Sequence, residues 1–140
     1  MGERLSATLK WEAGVRFSAR SQSGYPLTLD SPAKPGHQGP SPMELMLIGL
    51  AGCTAMDVIS ILERMRQPVR NLEVRIEGER ASTHPKRLVA AEIVYSLTGD
   101  GLSREKAEHA VELSCSTYCS ASASLRTDIP MTTRILINGE

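Results

Sequence analysis

Residues 40–62, PSPMELMLIGLAGCTAMDVISIL, decide how the rest of the chain is read. Ser41 is a natural N-cap, Pro42 fits the first helical position and Glu44 puts an acid in the first turn; Gln67-Pro68 then stops the run. The pattern predicts a central helix over 41–66. A bilayer span needs about 20 predominantly apolar residues. Here the uninterrupted apolar part runs from Leu45 to Met56, bounded by Glu44 and Asp57, and so reads as a core helix. Because its first half is apolar almost all round, the helix is expected to be enclosed by other elements.

On the N-terminal side, residues 30–42 (DSPAKPGHQGPSP) hold four of the eight prolines and two glycines, a composition that only a loop accepts. Before it, Leu5, Ala7, Leu9 and Trp11 alternate with polar neighbours. Val15, Phe17 and Ala19 do the same, and Tyr25, Leu27 and Leu29 follow, so residues 1–29 read as a three-stranded meander. On the C-terminal side the alternations Leu72, Val74, Ile76 and Val89, Ala91, Ile93, Tyr95, Leu97 predict a hairpin over 70–98. Ser103 caps a second helical region, 103–126, in which Ala107, Ala110, Val111, Ser114, Cys115 and Tyr118 fall at helical spacing. A strand over 131–138 closes the chain. Strands, helix, strands, helix and strand in this order give an α+β fold, expected as a single domain over 1–140.

Sixteen basic residues balance sixteen acidic ones, which removes the electrostatic footprint of a nucleic-acid or membrane-surface partner. The start MGERLSATLKWEAG lacks the apolar stretch of a secretion signal, so a cytoplasmic protein is expected. Three cysteines, Cys53, Cys115 and Cys119, are an odd set for a disulfide framework and are expected to be reduced. His37, His84 and His109 match no zinc spacing, so no metal is expected, and no glycine-rich phosphate loop speaks for a nucleotide cofactor.

Cys53 in an apolar helix reads first as a small core hydrophobe. Gly49 and Gly52 beside it each weaken the helix by up to about 1 kcal/mol relative to alanine. What they permit is a close crossing, for which the small side chains of CSASAS, residues 119–124, are the natural partner. Such a crossing would bring Cys53 and Cys119 within disulfide reach. A Cys53 thiolate could then attack the O–O bond of a peroxide, become a sulfenic acid and condense with the second thiol. Apolar walls from Met43, Leu45, Met46, Ile48, Gly49 and Met56 would favour an organic hydroperoxide. Cys115, one turn before Cys119, is read as packing.

PSPMELMLIGLAGCTAMDVISIL and, later, SCSTYCSASASL (residues 114–125) together resemble the OsmC/Ohr family of bacterial peroxide-handling proteins, in particular its OsmC-like branch, over nearly the whole chain. The resemblance implies an intertwined homodimer in which two central helices are enclosed by two antiparallel sheets. It implies thiol-dependent reduction of organic hydroperoxides without metal or flavin, an antioxidant role, and a dithiol reductant such as a lipoyl or thioredoxin-like protein. Cys53 matches the peroxidatic cysteine and Cys119 the resolving one. The family's glutamate place holds Met43, with Glu44 one step on, and Arg16 or Arg20 is the nearest counterpart of its arginine; these three are the candidates for activating the thiolate. The other function considered for the same fold is binding of a hydrophobic ligand, or redox sensing, with little turnover.

Overall fold

Ser41 and Glu44 close a reciprocal cap at the start of the central helix: the Glu44 amide donates to Ser41 Oγ at 3.1 Å, and the Ser41 amide to Glu44 Oε1 at 3.0 Å. This satisfies two of the amides that a helix start leaves without partners. The computed structural model describes residues 2–140. Its elements are β1 (Ala7–Ala13), β2 (Arg16–Ser21), β3 (Pro26–Leu29), α1 (Pro42–Arg64), β4 (Asn71–Arg80), β5 (Leu88–Thr98), α2 (Arg104–Leu113), a π-helical turn (Ser114–Tyr118), α3 (Ser120–Ala123) and β6 (Met131–Ile137). The fold is α+β with two three-stranded sheets. The chain divides into two compact units, and the boundary falls inside α1 between Met46 and Leu47.

In the N-terminal unit β1, β2 and β3 form the expected antiparallel meander, with Trp11 opposite Phe17 and Phe17 opposite Leu29. The first strand starts at Ala7 rather than Leu5, and every one of its residues is exposed. Buried Asp30 organises the proline loop. Its carboxylate accepts from the Ser31 and Gln38 amides at 2.8 and 3.0 Å, and Arg16 stands 3.9 Å away. The amide bonds, first that of Ser31, hold the Asp30 carboxyl below the usual carboxylate range, with Arg16 adding to the effect.

The C-terminal unit carries the hydrophobic core. Val58, Ile61 and Leu62 of α1 pack with Ile93, Tyr95 and Leu97 of β5 and with Ala107, Ala110 and Val111 of α2. Each large aliphatic side chain buried here contributes about 1.5–3 kcal/mol. Strands β4 and β5 form the expected hairpin, pairing antiparallel from Asn71 opposite Thr98. The last strand departs from expectation: β6 runs parallel to β5, so this sheet is mixed and not wholly antiparallel. The reason is the connection. The helical region between β5 and β6 returns the chain to the end at which β5 began, as a crossover does.

A second departure concerns α1. Only Leu50, Thr54, Val58, Ile61 and Leu62 are buried, a stripe at three- and four-residue spacing, whereas Ile48 and Met56 are 59 % and 73 % exposed. The helix is long and apolar enough to cross a membrane, by length and composition alone. Among the described residues one of its faces is packed and the other is open.

Candidate functional site

Three side chains converge where α1 meets the end of the second helical region. Cys53 Sγ, a carboxylate oxygen of Asp57 and Cys119 Sγ all lie within 4.8 Å of one another. Cys53 and Asp57 are four residues apart on α1 and share a face, as helical spacing requires. Cys53 is half-buried, Cys119 is buried and Cys115 is exposed, and all three are free thiols.

Cys119 is brought inward by the π turn. The buried positions of the second helix run Ala107, Ala110, Val111, Ser114, and one further α turn would bury Tyr118. Tyr118 is instead 56 % exposed and Cys119 only 4 %. The Cys119 amide donates to Ser114 O at 2.7 Å across five residues, which inserts one position into the helical register. Ser116 contributes locally: its hydroxyl donates to Glu112 O at 2.8 Å, the carbonyl that a continuing α-helix would give to the Ser116 amide. Cys119 then adopts an extended backbone, which ends the turn and starts α3.

Behind the trio lies a line of buried hydroxyls. Ser114 Oγ donates to Asp57 Oδ2 at 2.9 Å, Thr54 Oγ1 stands 2.8 Å from Ser114 Oγ, and Tyr95 OH stands 2.8 Å from Thr54 Oγ1. Each hydroxyl has one proton to give. Since the ionised carboxylate can only accept, the direction is set: Tyr95 donates to Thr54, Thr54 to Ser114 and Ser114 to Asp57. Cys115 Sγ reaches Tyr95 OH at 4.0 Å and, as that proton is committed, takes the donor role. Burial pushes the Tyr95 hydroxyl well above its usual range. The Cys115 thiol is also raised, first by burial, although the residue as a whole is exposed.

The other sequence candidates are placed as follows. Arg16 stands 3.9 Å from Asp30 and 4.0 Å from Glu12, Arg20 donates to Gly24 O at 2.9 Å, and Glu44 is held in the cap by Ser41. All three have these partners within the N-terminal unit. Met43 and Leu45 are half-buried and Met46 is exposed, in the first turns of α1. Ile48 and Met56 line an apolar groove of about 660 Å³ between α1 and β4, with Leu72, Val74 and Ile76 on its far wall. Cys53 is not part of that lining.

Among the described residues the close crossing expected at the glycines is not made: a Cβ at Gly49 or Gly52 would meet nothing within 4 Å. A different cavity, of about 440 Å³, is lined by Cys119 and Cys115 with Leu50, Ile93 and Val111. Asp57, Thr54, Ser114 and Tyr95 were not among the site residues expected from sequence. The four-residue step from Cys53 to Asp57 was the available signal for the first of them.

Residues 35–134 match the sequence profile of the family described as OsmC-like protein. Protein YhfA of Escherichia coli K12 is 34% identical over 128 residues, covering 91% of this chain and 94% of its own. A hypothetical protein from Aquifex aeolicus VF5 has a similar crystal structure, with 28% identity, a TM-score of 0.87 and 98% of both chains covered. The organic hydroperoxide resistance protein OhrB of Bacillus subtilis shares the fold at a TM-score of 0.63, with 16% identity over 97% of this chain and 98% of that one.

Proposed function

The chain belongs to the OsmC-like family, and from that premise we propose that it is a thiol-dependent peroxidase for organic hydroperoxides. The observation that carries the reading is the approach of Cys53 Sγ and Cys119 Sγ within 4.8 Å, from positions far apart in sequence. The Cys53 thiolate attacks the terminal peroxide oxygen; the O–O bond breaks, the alkoxide takes a proton and leaves as the alcohol, and Cys53 becomes a sulfenic acid. Cys119 then attacks the sulfenic sulfur, water leaves and a disulfide forms. An external dithiol returns both thiols and is itself oxidised to a disulfide.

The cavity at Cys119, whose lining is largely apolar but also takes in Glu108 and Glu112 and not Cys53, offers room for an organic group beside the resolving thiol. The OhrB likeness, at the level of fold, points the same way. A homodimer forms part of the reading, the open apolar face at Ile48 and Met56 being the surface that a second copy would cover.

One observation favours a second reading. A charged side chain beside Cys53 is the Asp57 carboxylate, four residues along the same helix. A neighbouring anion does not promote attack on a peroxide, so the second reading is a sensor of the same fold with slow turnover.

The test is to add one equivalent of cumene hydroperoxide, and separately hydrogen peroxide, to reduced protein and to map the products by mass spectrometry. Rapid loss of two thiols with a Cys53–Cys119 bond supports the peroxidase, and a persistent sulfenic acid supports the sensor. Thiols unchanged after hours would end both readings. Cys53→Ser is expected to abolish the reaction.

A further inference from the structure

A carboxylate wedged against two thiols is an odd companion for disulfide chemistry, which has no use for a second anion. It is what a cation would need. We propose that Cys53, Asp57 and Cys119 form a binding site for a thiophilic divalent cation of the zinc class.

The ligand set fits in kind and in place. Zinc takes thiolate sulfur at about 2.3 Å and carboxylate oxygen at about 2.0–2.2 Å in tetrahedral geometry, which puts neighbouring ligand atoms roughly 3.6–3.8 Å apart. All three ligand atoms here are within 4.8 Å of one another, so side-chain rotations closing each gap by roughly an ångström at most complete the triangle. Two thiolates and a carboxylate select a borderline-soft ion over magnesium or calcium, which prefer all-oxygen sites. Three protein ligands leave a fourth position for water, and half-buried Cys53 leaves a way in.

The second observation is the support behind the carboxylate. Asp57 Oδ2 accepts from Ser114 Oγ, whose position is set by buried Thr54 and Tyr95, and the carboxylate keeps further lone pairs for the ion. Outer hydrogen bonds of this kind orient ligating carboxylates in metal sites. Cys119 is fixed from its own side by the bond from its amide to Ser114 O. Ser114 therefore holds two of the three ligands through separate atoms. No short linear motif announces such a site, because two ligands come from one helix and the third from beyond the π turn.

The site does not depend on the peroxidase reading. Ion and disulfide use the same two sulfurs, so each excludes the other, and a bound ion keeps the thiols reduced.

The test uses the full-length, reduced, metal-free protein titrated with Co²⁺ and then Zn²⁺. The expected result is a sulfur-to-cobalt charge-transfer band that saturates at one equivalent and is displaced by zinc, with a zinc dissociation constant on the order of 1 µM or below. Asp57→Asn is expected to weaken binding at least about tenfold, and Ser114→Ala about 10–100-fold as an outer-shell change. Cys53→Ser removes the band, and Cys115→Ser leaves it unchanged. Cys119 is buried, so the variants at half-buried Cys53 and Asp57 carry the test, with circular dichroism confirming their fold. No band in reduced protein, a band that survives Cys53→Ser, or cobalt bound without sulfur at the histidines overturns the proposal. Failure of the peroxide assay on metal-free protein would leave these readouts untouched.

Discussion

Thr54 and Tyr95 share a 2.8 Å hydrogen bond between two fully buried hydroxyls, 41 residues apart in the chain. It ties the middle of α1 to the middle of β5 and passes through Ser114 to the Asp57 carboxylate. The two partners are unequal, because Thr54 bonds both Tyr95 and Ser114. Thr54→Val removes both the acceptor for Tyr95 and the donor to Ser114 at nearly constant volume, and is expected to cost about 1–3 kcal/mol. Tyr95→Phe removes a donor whose loss leaves Thr54 still bonded to Ser114, and is expected to cost about 0.5–1.5 kcal/mol. Urea denaturation with an unchanged slope measures both. The reverse order of costs would show that Thr54 does not carry both bonds.

Cys115 makes a separate prediction, because its exposure and its chemistry point in opposite directions. The residue is exposed, yet burial of the thiol beside Tyr95 raises its titration point. A raised point means less thiolate at any pH below it, and alkylation needs the thiolate. Reaction of Cys115 with iodoacetamide, followed peptide by peptide against pH, is therefore expected to reach half its plateau above the ordinary value of 9.0. A midpoint at or below that value would refute the assignment. In the same series Cys115→Ser is expected to leave the Cys53–Cys119 disulfide intact after peroxide treatment.

Why some of this was legible in sequence, and some not, follows from how each feature is encoded. The helix start was written locally: Ser41, Pro42 and Glu44 fix it through bonds spanning three residues. The hairpin was equally readable, since alternation records which side of β5 faces the core. The open face of α1 was not, because the packed stripe and the bare one are equally apolar, and composition does not say how many neighbours are available. The π turn defeated periodicity outright: helical spacing nominated Tyr118 for the interior, and one inserted position put Cys119 there. Asp57 stood at helical spacing from Cys53 in plain view, but its role depends on Cys119 and Ser114, which only the tertiary fold brings near.

Gly99, with φ +158°, tests how much crowding adds to backbone strain in the turn after β5. Its amide donates to Asn138 Oδ1 at 3.0 Å and its carbonyl accepts from Asn138 Nδ2 at 2.9 Å. A Cβ there would lie 2.1 Å from the Pro68 carbonyl oxygen, which is backbone and cannot swing aside. Gly99→Ala is expected to lose about 1–3 kcal/mol or more through overpacking. Gly101, two residues on, has φ +78° but open space around it. Gly101→Ala is expected to lose only the left-handed backbone cost, about 1–2 kcal/mol. Thermal or urea unfolding of the pair measures what crowding adds, and equal losses would show that Pro68 moves.

The N-terminal unit has its own acid-sensitive element in Asp30. The amides of Ser31 and Gln38 stabilise the ionised carboxylate, Arg16 adds to them, and the folded-state titration point lies below the ordinary 3.8. For a depressed carboxyl, the stabilisation is present in full above the unfolded value and is lost as pH falls through the folded one. Stability of the loop over 30–42 is therefore expected to hold from neutral pH down to about pH 4 and to decline below it. Hydrogen exchange at the Ser31 and Gln38 amides reads this directly, since those are the bonds that protonation breaks. Asp30→Asn keeps one acceptor oxygen, loses the pairing with Arg16, and is expected to lower protection at pH 7 while flattening its acid dependence. Loss of wild-type protection well above pH 4 would place the acid-labile group elsewhere in the unit and remove Asp30 as the organiser of the loop.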